Sequence, residues 1–169
     1  MSFDGIDDYV DFGNGLGLQR EYTIEFWLKW KGFTGSHAPI FKSRGTSQAD
    51  IFLTISQSQG SLLFSAYEGS SANWPAYTLW VAYPPQNKWT HIVAVASDVN
   101  LKVYYNSDLK ASKTLGAVSI TSVSELCRIG IYSTYNFNGL IDEVHVYKEA
   151  FSKEAVKERY LAELERHQN

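Results

Sequence analysis

Between Tyr22 and Trp30 the chain reads YTIEFWLKW, and its apolar positions recur at every second residue. In an extended strand successive side chains point to opposite faces, so Tyr22, Ile24, Phe26, Leu28 and Trp30 share one face. Thr23, Glu25, Trp27 and Lys29 share the other. Shorter runs of the same kind follow: APIFKS, DIFLTIS, SLLFSAY, YTLWVAY, WTHIVAVAS and LKVYYN. Turn-forming stretches such as SRGTSQA, SQSQG, EGSSANWP and PPQN separate them. VYYNSDLKA predicts a hairpin that bends at Asn106-Ser107-Asp108. Closely spaced strands without interleaved helices predict an all-β sandwich or barrel. The pattern changes at Ser152. In SKEAVKERYLAELERHQN, Val156, Tyr160 and Leu164 fall at i, i+4 and i+8, which predicts a helix with Ser152 as its N-cap. The third helical position is Ala155, so the capping box is incomplete. The organisation expected is a β-sandwich over residues 1–150 and a C-terminal helix over 151–169, packed on that domain or extending from it.

Composition narrows the function. A chain of 169 residues is one ordinary domain. A net charge of −3 and a pI near 5.8, with no basic run, argue against nucleic acid as a partner. No apolar run reaches the roughly 18–20 residues a membrane helix needs, so no membrane insertion is expected. Cys127 is alone, which rules out an internal disulfide; it precedes a strand and reads as a small buried hydrophobe. Met1 lies almost directly on a strand-like start with no leader before it, as expected of a module joined to other domains of a longer parent chain. Aromatic residues make up 15% of the sequence, which suits both β-structure and sugar-stacking surfaces.

Candidate chemistry begins with FNGLIDEVHVY. Strict alternation puts Asp142 on the face of Leu140, Val144 and Val146, pointing inward, while Glu143 can face water. A buried carboxylate needs a cation or several hydrogen bonds. Taken alone, the residues favour backbone N–H partners for Asp142 and a simple turn role for Asp4. Three aromatic residues are candidate sugar platforms: Trp74 in the polar SSANWPAY loop, Trp80 alternating away from Leu79 and Val81, and Tyr135 in the polar STYNFN turn. Covering loops or capping the sandwich ends is an equally good role for each ring. No nucleophile has a credible base. His37 lies in a Gly/Ser loop, His167 in the tail, and His91 and His145 sit in strands where hydrogen-bonded structural roles are expected.

Three stretches carry a family resemblance: FDGIDDYVDF followed by YTIEFWLKW; KWTHIVAVASD…LKVYYNSDLKAS; and IGIYSTYNFNGLIDEVHVYKEAFSKEAVKERY. In this order they resemble the laminin-G-like jelly-roll domain of the concanavalin A-like lectin/glucanase superfamily. Asn106-Ser107 replaces the Asn-Gly often seen in the family, and many relatives carry a further strand upstream of Met1-Ser2. The resemblance implies two antiparallel sheets in a jelly-roll sandwich, an extracellular or cell-surface setting, and a glycan or a surface protein as partner. It also implies a structural Ca²⁺, with Asp4 and Asp142 as ligands brought together by pairing of the terminal strands. Glucanases of this fold carry a Glu-x-Asp-x-x-Glu strand pattern, which this chain lacks. The resulting expectation is a non-catalytic, lectin-like carbohydrate-binding module. A protein-adhesion or structural module is the alternative, and a glycoside hydrolase is disfavoured.

Overall fold

The alternating 22–30 segment lies inside a sheet and presents its apolar face to the core. The computed structural model describes residues 1–13, 16–18, 20–44, 50–67, 76–115 and 125–168. Among these the strands are β1 (Ser2–Asp4), β2 (Val10–Asp11), β3 (Tyr22–Trp30), β4 (His37–Arg44), β5 (Asp50–Ser56), β6 (Ser61–Tyr67) and β7 (Thr78–Ala82). They continue with β8 (Thr90–Ser97), β9 (Asn100–Tyr105), β10 (Asp108–Thr114), β11 (Glu125–Ile129), β12 (Ile131–Tyr132), β13 (Tyr135–Asn136) and β14 (Asn138–Tyr147). Helix α1 (Lys153–Glu163) and a short 3-10 turn (Leu164–His167) follow. Sheet I has the order β1-β14-β3-β8-β9-β10, and sheet II the order β2-β11-β4-β5-β6-β7; β12 and β13 form a separate hairpin. Every pairing is antiparallel. The fold is a two-sheet antiparallel sandwich with one short C-terminal helix.

Alternation explains the core. Tyr22, Ile24, Phe26, Leu28 and Trp30 of β3 meet Ile51, Leu53, Ile55, Leu62 and Phe64 of sheet II in one cluster. Each fully buried large side chain there contributes roughly 1.5–3 kcal/mol. Ile40 and Phe41 are adjacent in sequence yet both buried in this cluster, because the β4–β5 register shifts between Pro39 and Phe41. The β9–β10 hairpin turns at Asn106-Ser107 with φ of 50° and 66°, so serine occupies a left-handed position that glycine commonly takes. Cys127 lies within β11, fully buried, and burial pushes its thiol up to about 12.

The terminal strands are neighbours: Ser2 pairs with Leu140, Phe3 with Gly139 and Asp4 with Asn138. Gly139, at φ 150°, passes so close to β3 that a Cβ would collide with the Lys29 carbonyl.

Beyond Gly139 the strand departs from strict alternation. Asp142 pairs with Trp27 and His145 with Glu25, so three steps on β14 match two on β3. The extra residue is absorbed at Glu143, at φ 48°. Ile141 points into the core, Asp142 points out, and Val144 and Val146 return to the core side. The inward orientation expected of Asp142 is therefore wrong: its side chain is 52% exposed.

Helix α1 packs on the outer face of sheet I. Val156 joins Val93, Val95 and Tyr104, with Ala150 and Phe151 beside them. Ser152 Oγ accepts from the Ala155 N–H at 3.2 Å, as expected of the N-cap.

Candidate functional site

The outward face of β3 is not a solvated face. Glu25 is fully buried beneath α1. Its carboxylate meets His91 Nε2 at 2.9 Å and accepts from Arg159 Nε at 3.0 Å and from the Tyr147 hydroxyl at 3.1 Å. Arg159 Nη2 also donates to Glu163 Oε1 at 2.9 Å, and Glu163 Oε2 accepts from Trp27 Nε1 at 2.9 Å. Burial alone would raise the Glu25 carboxyl. Hydrogen bonds and charge from His91 and Arg159 outweigh it and hold the group below its ordinary value. Burial, with Glu25 alongside, pushes the Tyr147 phenol up to about 12.

Stacked rings close the region. His167 lies 4.2 Å from Trp27, nearly parallel to it, and Tyr160 stacks on Trp27 at 5.8 Å and on His91 at 5.7 Å. His167, expected in a fraying tail, is instead 7% exposed. Its Nε2 lies 3.5 Å from Asp142 Oδ2, which is where the outward-turned carboxylate finds its partner.

Sequence reading missed this network. Glu25, His91 and Glu163 present ligand atoms within 4.8 Å of one another, a spacing that could hold a metal. Arg159 bridges both carboxylates and already supplies the compensating charge. The arrangement is an anchor for the helix, and a polysaccharide cannot reach its two acids under α1. The signal available in the sequence was an acid and a tryptophan on the polar face of β3, with an arginine and a glutamate four residues apart on the helix.

Sheet II carries a different outer surface. The β12–β13 hairpin lies against β4 and lines up a row of half-buried rings. Tyr135 is 5.0 Å from His37, His37 6.5 Å from Tyr132, and Tyr132 4.7 Å from Phe52. The Lys42 ammonium sits 4.2 Å from the Tyr132 ring centre. His37 begins β4, with burial lowering its imidazole from the ordinary value. Among the expected platforms Tyr135 stands in this row; sequence reading had not picked out Phe52, Tyr132 or His37. Trp80 faces the same side, and the Lys113 ammonium lies 5.1 Å from its ring. By strand spacing and rise it sits about 12 Å from Phe52. Trp74 lies outside the described residues.

An acidic loop adjoins the row. Asp4, Asp7 and Asp8 are exposed, and their carboxylates converge within 4.8 Å. Asp4 Oδ1 accepts from the Ile6 N–H and Asp8 Oδ2 from the Asp4 N–H, which fixes the loop. Asn136, next to Tyr135, donates to the Ile6 carbonyl at 2.6 Å and ties the loop to the hairpin. Asp142 is not part of this group. Asp4 pairs with Asn138, and four residues of strand, about 13 Å, separate that position from Asp142. The terminal strands do pair, but they do not bring the two expected ligands together.

Comparison with known proteins places this geometry. Residues 4–157 match the model of a family described as the concanavalin A-like lectin/glucanases superfamily. No curated protein sequence matches the chain. Among solved structures, domain 4 of AbnA, a GH43 extracellular arabinanase from Geobacillus stearothermophilus in complex with arabinotriose, superimposes with a TM-score of 0.66. Identity is 22%, over 89% of this chain and 71% of that one. The native heptameric SAP-like pentraxin from Limulus polyphemus gives 0.68 at 20% identity, covering 92% of this chain and 78% of that one. The binding domain of botulinum neurotoxin serotype D gives 0.75 at 16% identity. There the match takes in 96% of this chain but only 42% of the toxin domain.

Proposed function

The chain belongs to the concanavalin A-like lectin/glucanases superfamily, and we propose that it is a non-catalytic carbohydrate-binding module of an extracellular or cell-surface protein. One observation carries this reading: the row of half-buried rings, Tyr135, His37, Tyr132 and Phe52, on the outer face of sheet II. Sugar rings stack their C–H faces on aromatic side chains, and polar neighbours bind the hydroxyls. On sheet I the half-buried rings His145, Tyr147 and Phe151 lie beside α1, and Tyr147 is engaged by Glu25 and Arg159 of the helix network. The fold shared with an arabinotriose-bound domain supports the reading. We also propose that a structural Ca²⁺ would be held by Asp4, Asp7 and Asp8, whose carboxylates converge, and would hold the loop against Asn136 beside Tyr135.

The test is a glycan array followed by titration of the best hit. Tyr132→Ala should weaken binding by about 1–3 kcal/mol, by analogy with base stacking on aromatic side chains, and leave the melting temperature nearly unchanged. Tyr135→Ala should act in the same direction. Silence across the array would overturn the proposal in favour of protein adhesion, and glycan turnover by the purified domain would overturn its non-catalytic part.

A further inference from the structure

The two sheets do not close evenly along the edge where β1 and β2 lie. β1 covers β14 only from Asn138 to Leu140, and the facing edge of sheet II is the two-residue β2. The rest of β14 has β3 on one side only among the described residues. Between the two edges lies a cleft of about 230 Å³ lined by Phe12, Leu16, Phe41, Val144 and Val146. The bulge at Glu143 creates the β14 wall, because it turns Val144 and Val146 to the inner side. The five lining side chains among the described residues are hydrocarbon, and Phe12 is half-exposed.

The end of this cleft carries a charge. Lys148 lies in the bend just after β14, and a Cβ at Gly17 would lie 3.4 Å from its Nζ. Gly17 directly follows the lining residue Leu16. No described carboxylate pairs with this ammonium, and the side chain is exposed. An apolar cavity of 150 Å³ holds a benzene molecule, so this one has room for about seven to nine carbons.

We propose that the cleft binds a small amphipathic anion: a hydrocarbon group of about seven to nine carbons bearing one carboxylate. The hydrocarbon lies against Phe41, Val144 and Val146, and the carboxylate meets Lys148 at the mouth. The site is at the edge of the sandwich, away from the ring row of sheet II, so it stands or falls independently of sugar binding.

Octanoate is the probe, with octan-1-ol and acetate as controls, in methyl-resolved NMR titrations of the whole chain. Octanoate should give saturable shifts centred on Leu16, Val144 and Val146, and acetate none. Lys148→Gln should weaken octanoate about five- to tenfold and leave octan-1-ol unchanged. Val146→Phe should abolish binding of both by filling the cleft. Leu16→Phe, on the loop side, is the second filling variant should the strand substitution fail to fold. The proposal is overturned if octanoate gives no saturable shifts at these methyls, if octan-1-ol binds the native protein as tightly as octanoate, or if a folded filling variant still binds.

Discussion

Replacing Arg159 by methionine tests whether ionic pairing holds α1 to sheet I. Arg159 donates to the fully buried Glu25 carboxylate at 3.0 and 3.3 Å and to Glu163 at 2.9 Å. Removing one member of a buried pair typically costs 3–5 kcal/mol, because the remaining charge is left uncompensated. The Arg159 side chain is 33% exposed, so water shares in its contacts, and the expected loss falls to about 2–3 kcal/mol. An unfolding entropy of about 2.1 cal/mol/K per residue turns this into a melting temperature about 6–8 °C lower at neutral pH.

The pH dependence identifies the cause. The Glu25 carboxyl is held below its ordinary value of 4.5, so the unfolded chain binds that proton more readily than the folded protein. Its contribution is present above about pH 4.5 and is lost as pH falls through the lowered folded value. Calorimetry of native protein and Arg159→Met should therefore show a gap that narrows as the solution is acidified. A second check is the cycle with Glu25→Gln, in which the two substitutions should couple by more than about 0.5 kcal/mol. A neutral-pH loss under about 2 °C would refute the charge argument. So would a gap that persists unchanged into acid, which would assign the loss to packing of the arginine stem.

Two further predictions concern a buried hydroxyl and the acidic loop. The Tyr22 hydroxyl is fully buried in the core with no hydrogen-bond partner among the described residues, and burial raises its pKa well above the ordinary value. Tyr22→Phe should stabilise the fold by about 1 kcal/mol, read as a melting temperature about 3 °C higher, and a lower one would show that the hydroxyl has a partner. Ca²⁺ at about 10 mM should raise the melting temperature by about 4–8 °C, if the Asp4-Asp7-Asp8 loop binds with the 0.1–1 mM affinity of extracellular calcium modules. Asp8→Asn should blunt that response and Asp142→Asn should not; an equal melting temperature with and without the ion in metal-stripped protein would remove calcium from the account.

The sandwich was legible because alternation is a local property, and burying one face of each strand enforces it. The 22–30 pattern predicted which five side chains enter the core, and Ser152 marked the start of the helix. Asp142 was misread for an equally local reason. Strict alternation was carried through Asp142-Glu143, two consecutive polar residues between Ile141 and Val144, where the period breaks. That doublet was itself the sign of a bulge, since it lets Ile141, Val144 and Val146 all face the core. The ring row was harder to see, because Phe52, Tyr132 and His37 come from β5, β12 and β4, and only the fold brings them together. His167 was misplaced because its burial depends on Trp27, 140 positions earlier in the chain.

These placements make stability and recognition separable. The Glu25–Arg159 network occupies the outer face of sheet I, whereas the rings that would meet a sugar stand on the outer face of sheet II, with the core between them. A substitution in the network acts on how firmly α1 is held, and the strands bearing Tyr132 and Phe52 have no contact with that helix in their pairing. Arg159→Met should therefore lower the melting temperature without changing glycan affinity at a temperature where the protein stays folded, and Tyr132→Ala should do the reverse. If Arg159→Met weakens glycan binding as much as Tyr132→Ala does, the two faces are coupled through the core, and the helix belongs to the binding site.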